Sequence, residues 1–97
     1  QLDGKDPGAE VPAGTKRLEW SADLKHRAAY WHNRQPTHLV VTHNGIPIAT
    51  QAMAENGAKQ SLKLKDLEPG WLRTELYGYK HGKAGILLAF MSPFWIV

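Results

Sequence analysis

The sequence has no cysteine, no long apolar run and little excess charge of either sign, and each absence excludes a class of protein. Without cysteine, the chain cannot form a disulfide, a thiolate metal site or a cysteine nucleophile. No apolar run approaches the roughly 18 residues that a membrane span needs. Twelve Lys and Arg against nine Asp and Glu give a net charge of +3, which is low for a dedicated nucleic-acid binder. We therefore expect neither a membrane nor a nucleic acid as partner, and the compartment stays open between the cytoplasm and secretion.

Helical periodicity is almost absent as well, and the apolar residues instead alternate with period two. This alternation predicts strands within "TKRLEWSADL", "THLVVTHNGIPIATQ", "KQSLKLKDL", "WLRTELYGY", "ILLAFM" and "SPFWIV". Asn44 and Gly45 tolerate the positive φ angles of a type I′ turn, so they predict a hairpin in the second segment. Pro47 cannot donate to a ladder and favours an edge strand. The run "ILLAFM" is apolar on both faces and predicts a central strand, whereas "ADLKHRAAYWH" is the best candidate for a short helical turn.

Short strands separated by turns at this density are typical of a two-sheet sandwich. We therefore predict an all-β fold, an immunoglobulin/fibronectin-type antiparallel β-sandwich of about seven strands, with a small barrel as the alternative. The segment "LEPGW" fits the corner between the fifth and sixth strands of such a sandwich. The start "QLDGKDPGAE" is rich in glycine and acidic residues and has no signal-peptide core. We expect residues 1–13 to be a flexible linker from a longer chain and residues 14–97 to form the sandwich domain.

The strand "WLRTELYGY" carries the most informative pattern, because neither of its faces is ordinary. Alternation places four small or apolar positions on one face, namely Leu72, Thr74, Leu76 and Gly78. The opposite face combines aromatic and charged side chains, namely Trp71, Arg73, Glu75, Tyr77 and Tyr79. We expect Arg73 and Glu75 to form an ion pair on that face. Together with Trp31, these five outward residues are the candidate interface.

The sequence does not favour chemistry by this chain alone. None of the five histidines has the His-x-His spacing that puts two ligands on one face of a strand, and a catalytic zinc site usually needs three protein ligands. Ser21, Ser61 and Ser92 lie outside a Gly-x-Ser-x-Gly elbow. Glu75 lacks a second positioned group for general acid–base catalysis. We therefore predict no catalytic residue, no metal ligand and no cofactor.

The four tryptophans are expected to play different parts. Trp20 follows the inward alternation of its strand and is predicted to lie in the core, and Trp95 is predicted to be partly buried against the last strands. Trp31 lies in a polar segment and Trp71 faces outward beside Arg73. Exposed aromatic residues of this kind stack on sugars or anchor protein interfaces, or they close the open ends of a sandwich.

A stripe of cations, Lys59, Lys63 and Lys65 with Ser61 between them, alternates along one predicted strand. One interpretation is an anion-binding strip for nucleic acid or an acidic glycan. The sequence favours the other interpretation, since lysines on an exposed strand are a common protection against edge-to-edge aggregation.

Three segments of the second half, "HLVVTHNGIPIA", "LEPGWLRTELYGY" and "ILLAFMSPFWIV", occur in an order that resembles a known family. They are similar to the domain that ends many bacterial PHP-type (polymerase and histidinol phosphatase) metal-dependent phosphoesterases of the CehA/McbA group. The resemblance covers roughly residues 37–97, and more loosely the chain from residue 14. The matching positions are Gly45, Gly70, Trp71, Arg73, Glu75, Ala89, Pro93, Trp95 and Val97. Ser92 departs from the family pattern, which usually has Asn before this proline.

The resemblance implies a function for this chain as part of a larger enzyme. The metal-binding His-x-His and the carboxylate motifs of the catalytic barrel are missing from these 97 residues. The resemblance therefore implies a non-catalytic accessory domain that packs against the catalytic domain of the same parent chain, a metal-dependent phosphoester hydrolase. The main alternative is a carbohydrate-binding module in which Trp31, Trp71 and Tyr79 stack on sugar rings. Hydrolysis by the isolated domain is the third interpretation.

Overall fold

The structure, a computed structural model, describes residues 1–21, 34–53 and 58–97. All regular structure in these residues is β, which confirms the all-β prediction. Eight strands are present there, namely β1 (Glu10–Val11), β2 (Gly14–Trp20), β3 (Arg34–His43), β4 (Ile46–Ala52), β5 (Gln60–Leu67), β6 (Gly70–Lys80), β7 (Lys83–Phe90) and β8 (Phe94–Ile96). No helix of the described ranges is long and apolar enough to cross a membrane. The predicted helical turn in residues 22–32 lies outside them.

The strands form two sheets that pack face to face as a β-sandwich. The large sheet has six strands in the order β1-β8-β6-β3-β4, and β7 pairs with β6 as well. The small sheet consists of β2 and β5, which pair antiparallel from Gly14 opposite Leu67 to Trp20 opposite Gln60. Each β6 neighbour is antiparallel to it, while β1 pairs with β8 in the parallel sense.

Strand β6 occupies the centre of the large sheet, and its inward face forms the middle of the core. The predicted inward positions Leu72, Thr74, Leu76 and Gly78 are all buried, which confirms that half of the pattern. The large sheet adds core side chains from β3 and β8, and the small sheet adds others from β2 and β5. These are Leu39, Val41, Phe94 and Ile96 on the large sheet, and Leu18, Trp20, Leu64 and Leu67 on the small sheet.

The predicted hairpin between β3 and β4 is present. Asn44 and Gly45 have φ angles of 49° and 87°, the left-handed values that a type I′ turn requires at both central positions. Strand β4 ends the order of the large sheet, so Pro47 lies in an edge strand as predicted. A bulge after Val41 shifts the register beside that proline, where a ladder donor is missing.

Asn44 also ties the hairpin to the corner that leads from the small sheet into β6. Its side-chain oxygen accepts the N–H of Trp71 at 3.0 Å, and its amide nitrogen donates to the carbonyl of Pro69 at 3.3 Å. The main-chain N–H of Asn44 donates to the carbonyl of Trp71 at 3.0 Å. Gly70 has a φ of 143°, and a Cβ at this position would collide with the Asn44 side chain. Glycine is needed here for both conformation and space.

Residues 1–13, predicted to be a linker, are instead part of the fold. Leu2 is fully buried in the core, and the N–H of Asp3 donates to the carbonyl of Arg17 at 2.9 Å. Strand β1 follows and pairs with β8, with Glu10 opposite Trp95 and Val11 opposite Ile96. The composition of this segment indicated a linker. Its two buried apolar residues, Leu2 beside β2 and Val11 beside β8, nevertheless anchor it to the fold.

Strand β7 is not the central strand that its apolar sequence predicted. Within the described part of the chain it pairs only with β6, over Glu75 to Lys80. Strand β8 pairs with the beginning of the same β6 edge, so β7 and β8 lie one after the other along β6. Leu87 and Phe90 are 43% and 70% exposed, which shows that the second apolar side of β7 belongs to an open surface.

Trp20 lies in the core, as predicted, and links the two sheets by a hydrogen bond. Its indole nitrogen donates to the side-chain oxygen of Gln51 on β4 at 2.6 Å. The Gln51 amide in turn donates to the carbonyl of Ser61 on β5 at 3.0 Å. A buried indole N–H usually has a partner of this kind, and here the partner closes the side of the sandwich between β4 and β5.

We predict that Gln51→Ala lowers the free energy of unfolding by about 1–3 kcal/mol, because it leaves a buried donor without its acceptor. Urea unfolding of the wild type and the variant measures the difference. The matched control is the same substitution in a Trp20→Phe background, where no indole N–H remains. An equal loss in both backgrounds would show that the hydrogen bond is not the cause.

Gly70→Ala is predicted to destabilise the protein by about 1–3 kcal/mol, since the residue is held at positive φ and against Asn44. Thermal or urea unfolding measures the effect. Combining it with Asn44→Gly, which keeps the turn conformation and removes the colliding side chain, should cost less than the sum of the two single changes. Strict additivity would contradict the contact.

Candidate functional site

The outward side of the large sheet carries a continuous set of aromatic, apolar and charged side chains. Register and alternation place nine of them together, and we call this set the outer face. It consists of His38, Trp71, Arg73, Glu75, Tyr77, Tyr79, Leu87, Phe90 and Trp95. Phe90 lies opposite Glu75, Leu87 opposite Tyr77, and Trp95 opposite Trp71. All five β6 residues of the predicted interface are therefore on one surface.

The expected ion pair between Arg73 and Glu75 is not present, and this prediction was wrong. The guanidinium carbon of Arg73 instead lies 5.3 Å from the centroid of the Trp71 ring, within the range of a cation–π contact. Residues two apart on a strand are separated by roughly 6.5–7 Å along the backbone, so the arginine side chain can lean towards either neighbour. On this strand it leans towards the indole.

Glu75 forms its hydrogen bond on the side away from Arg73, within a short polar network around Tyr77. The phenol of Tyr77 donates to its carboxylate at 3.1 Å. The ring of Tyr77 stacks on His38, with centroids 5.7 Å apart and 12° between the planes. The Thr37 hydroxyl donates to the carbonyl of Tyr77 at 3.3 Å, so it accepts from Nδ1 of His38 at 2.8 Å. This assignment leaves Nε2 of the neutral imidazole as a hydrogen-bond acceptor.

The network changes the acidity of Tyr77. Burial, and then the hydrogen bond to Glu75 and its negative charge, raise the pKa of the Tyr77 phenol above the ordinary tyrosine value. Each of these causes favours the protonated phenol, because a phenolate would be poorly solvated and would lie beside a carboxylate. The phenol is thus a hydrogen-bond donor rather than a base at neutral pH.

The apolar part of the outer face is unusually open to solvent. Trp95, predicted to be partly buried, is 49% exposed, so about half of its surface is open to solvent. Tyr79 is also exposed. Together with Leu87 and Phe90, these side chains border the cation–π pair and the Glu75 network on two sides. Sheets of antiparallel sandwiches usually turn a polar side to water, so this surface is atypical.

Sequence reasoning found the β6 residues of this site but missed His38, Leu87, Phe90 and Trp95. Their positions follow from long-range pairing, which single-strand periodicity does not contain. The sequence did contain one signal for them, namely an aromatic residue in each of two predicted strands, Phe90 in "ILLAFM" and Trp95 in "SPFWIV". Trp31, the sixth predicted interface residue, lies outside the described residues, and so do His26 and His32.

Metal ligands are not clustered in this part of the molecule. No group of three or more His, Asp or Glu side chains in residues 1–21, 34–53 and 58–97 could hold a metal ion. His43 is engaged otherwise, since its Nε2 lies 2.9 Å from the carbonyl of Glu68 and must donate to it. The geometry of the outer face therefore offers hydrogen bonds, a cation on an indole and apolar area, which are means of recognition.

The lysine stripe of the small sheet is partly neutralised. Lys59 forms an ion pair of 2.7 Å with Glu19, and Arg17 lies 3.8 Å from the same carboxylate. The hydrogen bond and charge of Lys59 hold the pKa of Glu19 below the ordinary glutamate value. Lys63 and Lys65 remain as exposed cations on β5.

Comparison with known proteins gives no match to a protein family, a curated protein or a solved structure.

We predict that Glu75→Gln lowers the pKa of Tyr77 but leaves it above the ordinary value of about 10, because burial is the largest cause of the shift and persists. Titration of the phenolate absorbance measures it, with Tyr77→Phe as the control that identifies the transition. The folded state holds this proton more tightly than the unfolded state. The stability it contributes is therefore complete below about pH 10 and is lost as the pH rises through the folded pKa. A Tyr77 pKa that does not change in the variant would contradict the coupling.

Proposed function

We propose that this chain is a non-catalytic accessory domain that docks through its outer face on a catalytic domain of a PHP-type phosphoesterase. The observation that carries the proposal is an exposed aromatic and apolar surface in which Arg73 and Glu75 do not neutralise each other.

The composition of the outer face is that of a protein interface. Trp, Tyr, Phe and Arg are residue types enriched in such interfaces, and Phe90 and Trp95 are 70% and 49% exposed. Contiguous apolar surface of this kind marks an interaction site on a soluble domain. Covering it with a partner removes apolar area from water at about 25 cal/mol per Å².

The two charges define what the partner presents. Arg73 is held on the Trp71 ring and keeps its guanidinium donors, while Glu75 uses one oxygen for the Tyr77 phenol. A partner surface with a carboxylate opposite Arg73 and a cation opposite Glu75 would complete both sites. Such paired charges fix the orientation of two domains more than they raise affinity.

The strand pairing supports the finer assignment to an immunoglobulin-type sandwich. In that topology the second and fifth strands form part of one sheet, and the third, sixth and seventh form the other. Here β2 pairs with β5, and β3 pairs with β6. Strands β7 and β8 both pair with the other edge of β6, one after the other. Because the resemblance described above is to such a domain at the end of PHP-type enzymes, it points to their catalytic barrel as the partner.

A glycan fits this face less well than a protein does. Sugar rings stack on open aromatic planes and need hydrogen-bonding groups around them. One side of the Trp71 ring is occupied by Arg73, and the most exposed ring, Phe90, lies on the same face as the aliphatic Leu87. An aliphatic side chain in this position favours a protein surface.

The first test is the coding sequence upstream of Gln1. The proposal expects a barrel domain there, with a His-x-His motif and further His and Asp ligands. A different upstream domain, or none, would overturn the assignment to PHP-type enzymes.

The second test is binding of this chain to the separately produced catalytic domain, measured by calorimetry. We predict that Arg73→Glu combined with Phe90→Ser weakens binding at least about tenfold, because it reverses one charge and removes one apolar anchor. The matched control is Lys65→Glu with Ile46→Ser, which reverses one charge and removes one exposed apolar side chain outside the outer face, and it should leave affinity unchanged. Equal weakening by both pairs, or a tryptophan fluorescence response to a glycan panel that the outer-face pair abolishes, would contradict docking.

A further inference from the structure

The end of the large sheet at the β6–β7 turn brings three basic positions side by side. Arg34 on β3 is the register partner of Lys80 on β6, and Lys80 is the register partner of Lys83 on β7. Neighbouring strands lie about 4.8 Å apart, so the row crosses three strands within roughly 10 Å. Like charges directly opposite each other destabilise a sheet, and Lys80 and Lys83 form such a pair.

The connecting turn fixes the two lysines in place. His81 and Gly82 have φ angles of 51° and 79°, the left-handed pair of a two-residue type I′ turn. In such a turn the flanking residues face each other, and their Cβ atoms are about 5 Å apart on one side of the sheet. Both ammonium groups can therefore reach one ligand without any change of the backbone.

Within residues 1–21, 34–53 and 58–97, no acidic side chain forms an ion pair with either lysine. The ion pairs between described residues use Lys16, Arg17 and Lys59, and none of them uses Lys80 or Lys83. Lys83 is exposed and Lys80 is half-buried. The cations of the small sheet differ in this respect, because Glu19 lies among them.

We propose that Lys80 and Lys83, at the β7 end of this row, bind a multivalent oxyanion, a phosphate or sulfate group. Two ammonium groups converging on one tetrahedral anion would replace mutual repulsion by charge-assisted hydrogen bonds. This site lies at the turn end of the sheet and is separate from the charges of the outer face, so it does not rest on docking.

The experiment is thermal unfolding in inorganic phosphate, sulfate and tripolyphosphate, each compared with sodium chloride at the same ionic strength. A ligand that binds only the folded state raises the midpoint as its concentration rises. We expect a saturable rise for the wild type, largest with tripolyphosphate. Lys80→Gln with Lys83→Gln should weaken the apparent affinity at least tenfold and should raise the midpoint in chloride alone.

The matched control is Lys63→Gln with Lys65→Gln, which changes the net charge equally and leaves the row intact. It should keep the anion response. A response that is equal in both double variants, or absent from the wild type, would overturn the proposal. The single variant Lys83→Gln, at an exposed position, provides the same comparison if the double variant unfolds. Larger chemical-shift changes at Lys80 and Lys83 than at Lys63 locate the site directly, and the reverse order would contradict it.

Discussion

The alternation of side chains along β6 is the constraint on which the rest of the structure depends. This strand is the one that pairs with β3 on one edge and with both β7 and β8 on the other. Its inward residues therefore set the core against the small sheet, and its outward residues become the centre of the exposed surface. A shift of one residue would exchange the two sets and place Arg73 and Glu75 in the core. Burial of Leu72 and Leu76 consequently fixes the outer face as well.

Gly78 shows how closely the neighbouring strand follows this central strand. A Cβ at Gly78 would collide with the main chain of Gln35 and Pro36 on β3, where the register shifts after Pro36. The close approach brings His38 beside Tyr77, and their rings stack. The polar network of Glu75 thus depends on a glycine on the opposite side of the sheet. The inward side of β6 controls not only the core but also the spacing of the outward groups.

Local signals were enough to predict the elements, and long-range pairing was needed for the rest. The Asn44–Gly45 turn and the alternation from Trp71 to Tyr79 follow from the conformational preferences of adjacent residues, and both are confirmed. The position of β7 could not be predicted in this way. The sequence pattern of an apolar strand does not show whether its second face is covered by a sheet or by a partner. Leu2 was missed for a related reason, since one leucine in a polar segment gives no period. The partner of Arg73 depended on a choice between two neighbours at equal spacing, Trp71 and Glu75.

The corner at Asn44 fixes the backbone at one end of the outer face. Trp71 has both its N–H and its carbonyl bonded to Asn44, and Trp95 lies directly across from it on β8. The Trp71 backbone is therefore fixed before any partner arrives, and the indole already carries Arg73. Groups that are ordered in the free protein lose little conformational entropy on binding. For the proposed docking we therefore expect the affinity for the catalytic domain to be concentrated at Trp71, Arg73 and Trp95, while Tyr79, near the other end of β6, contributes area.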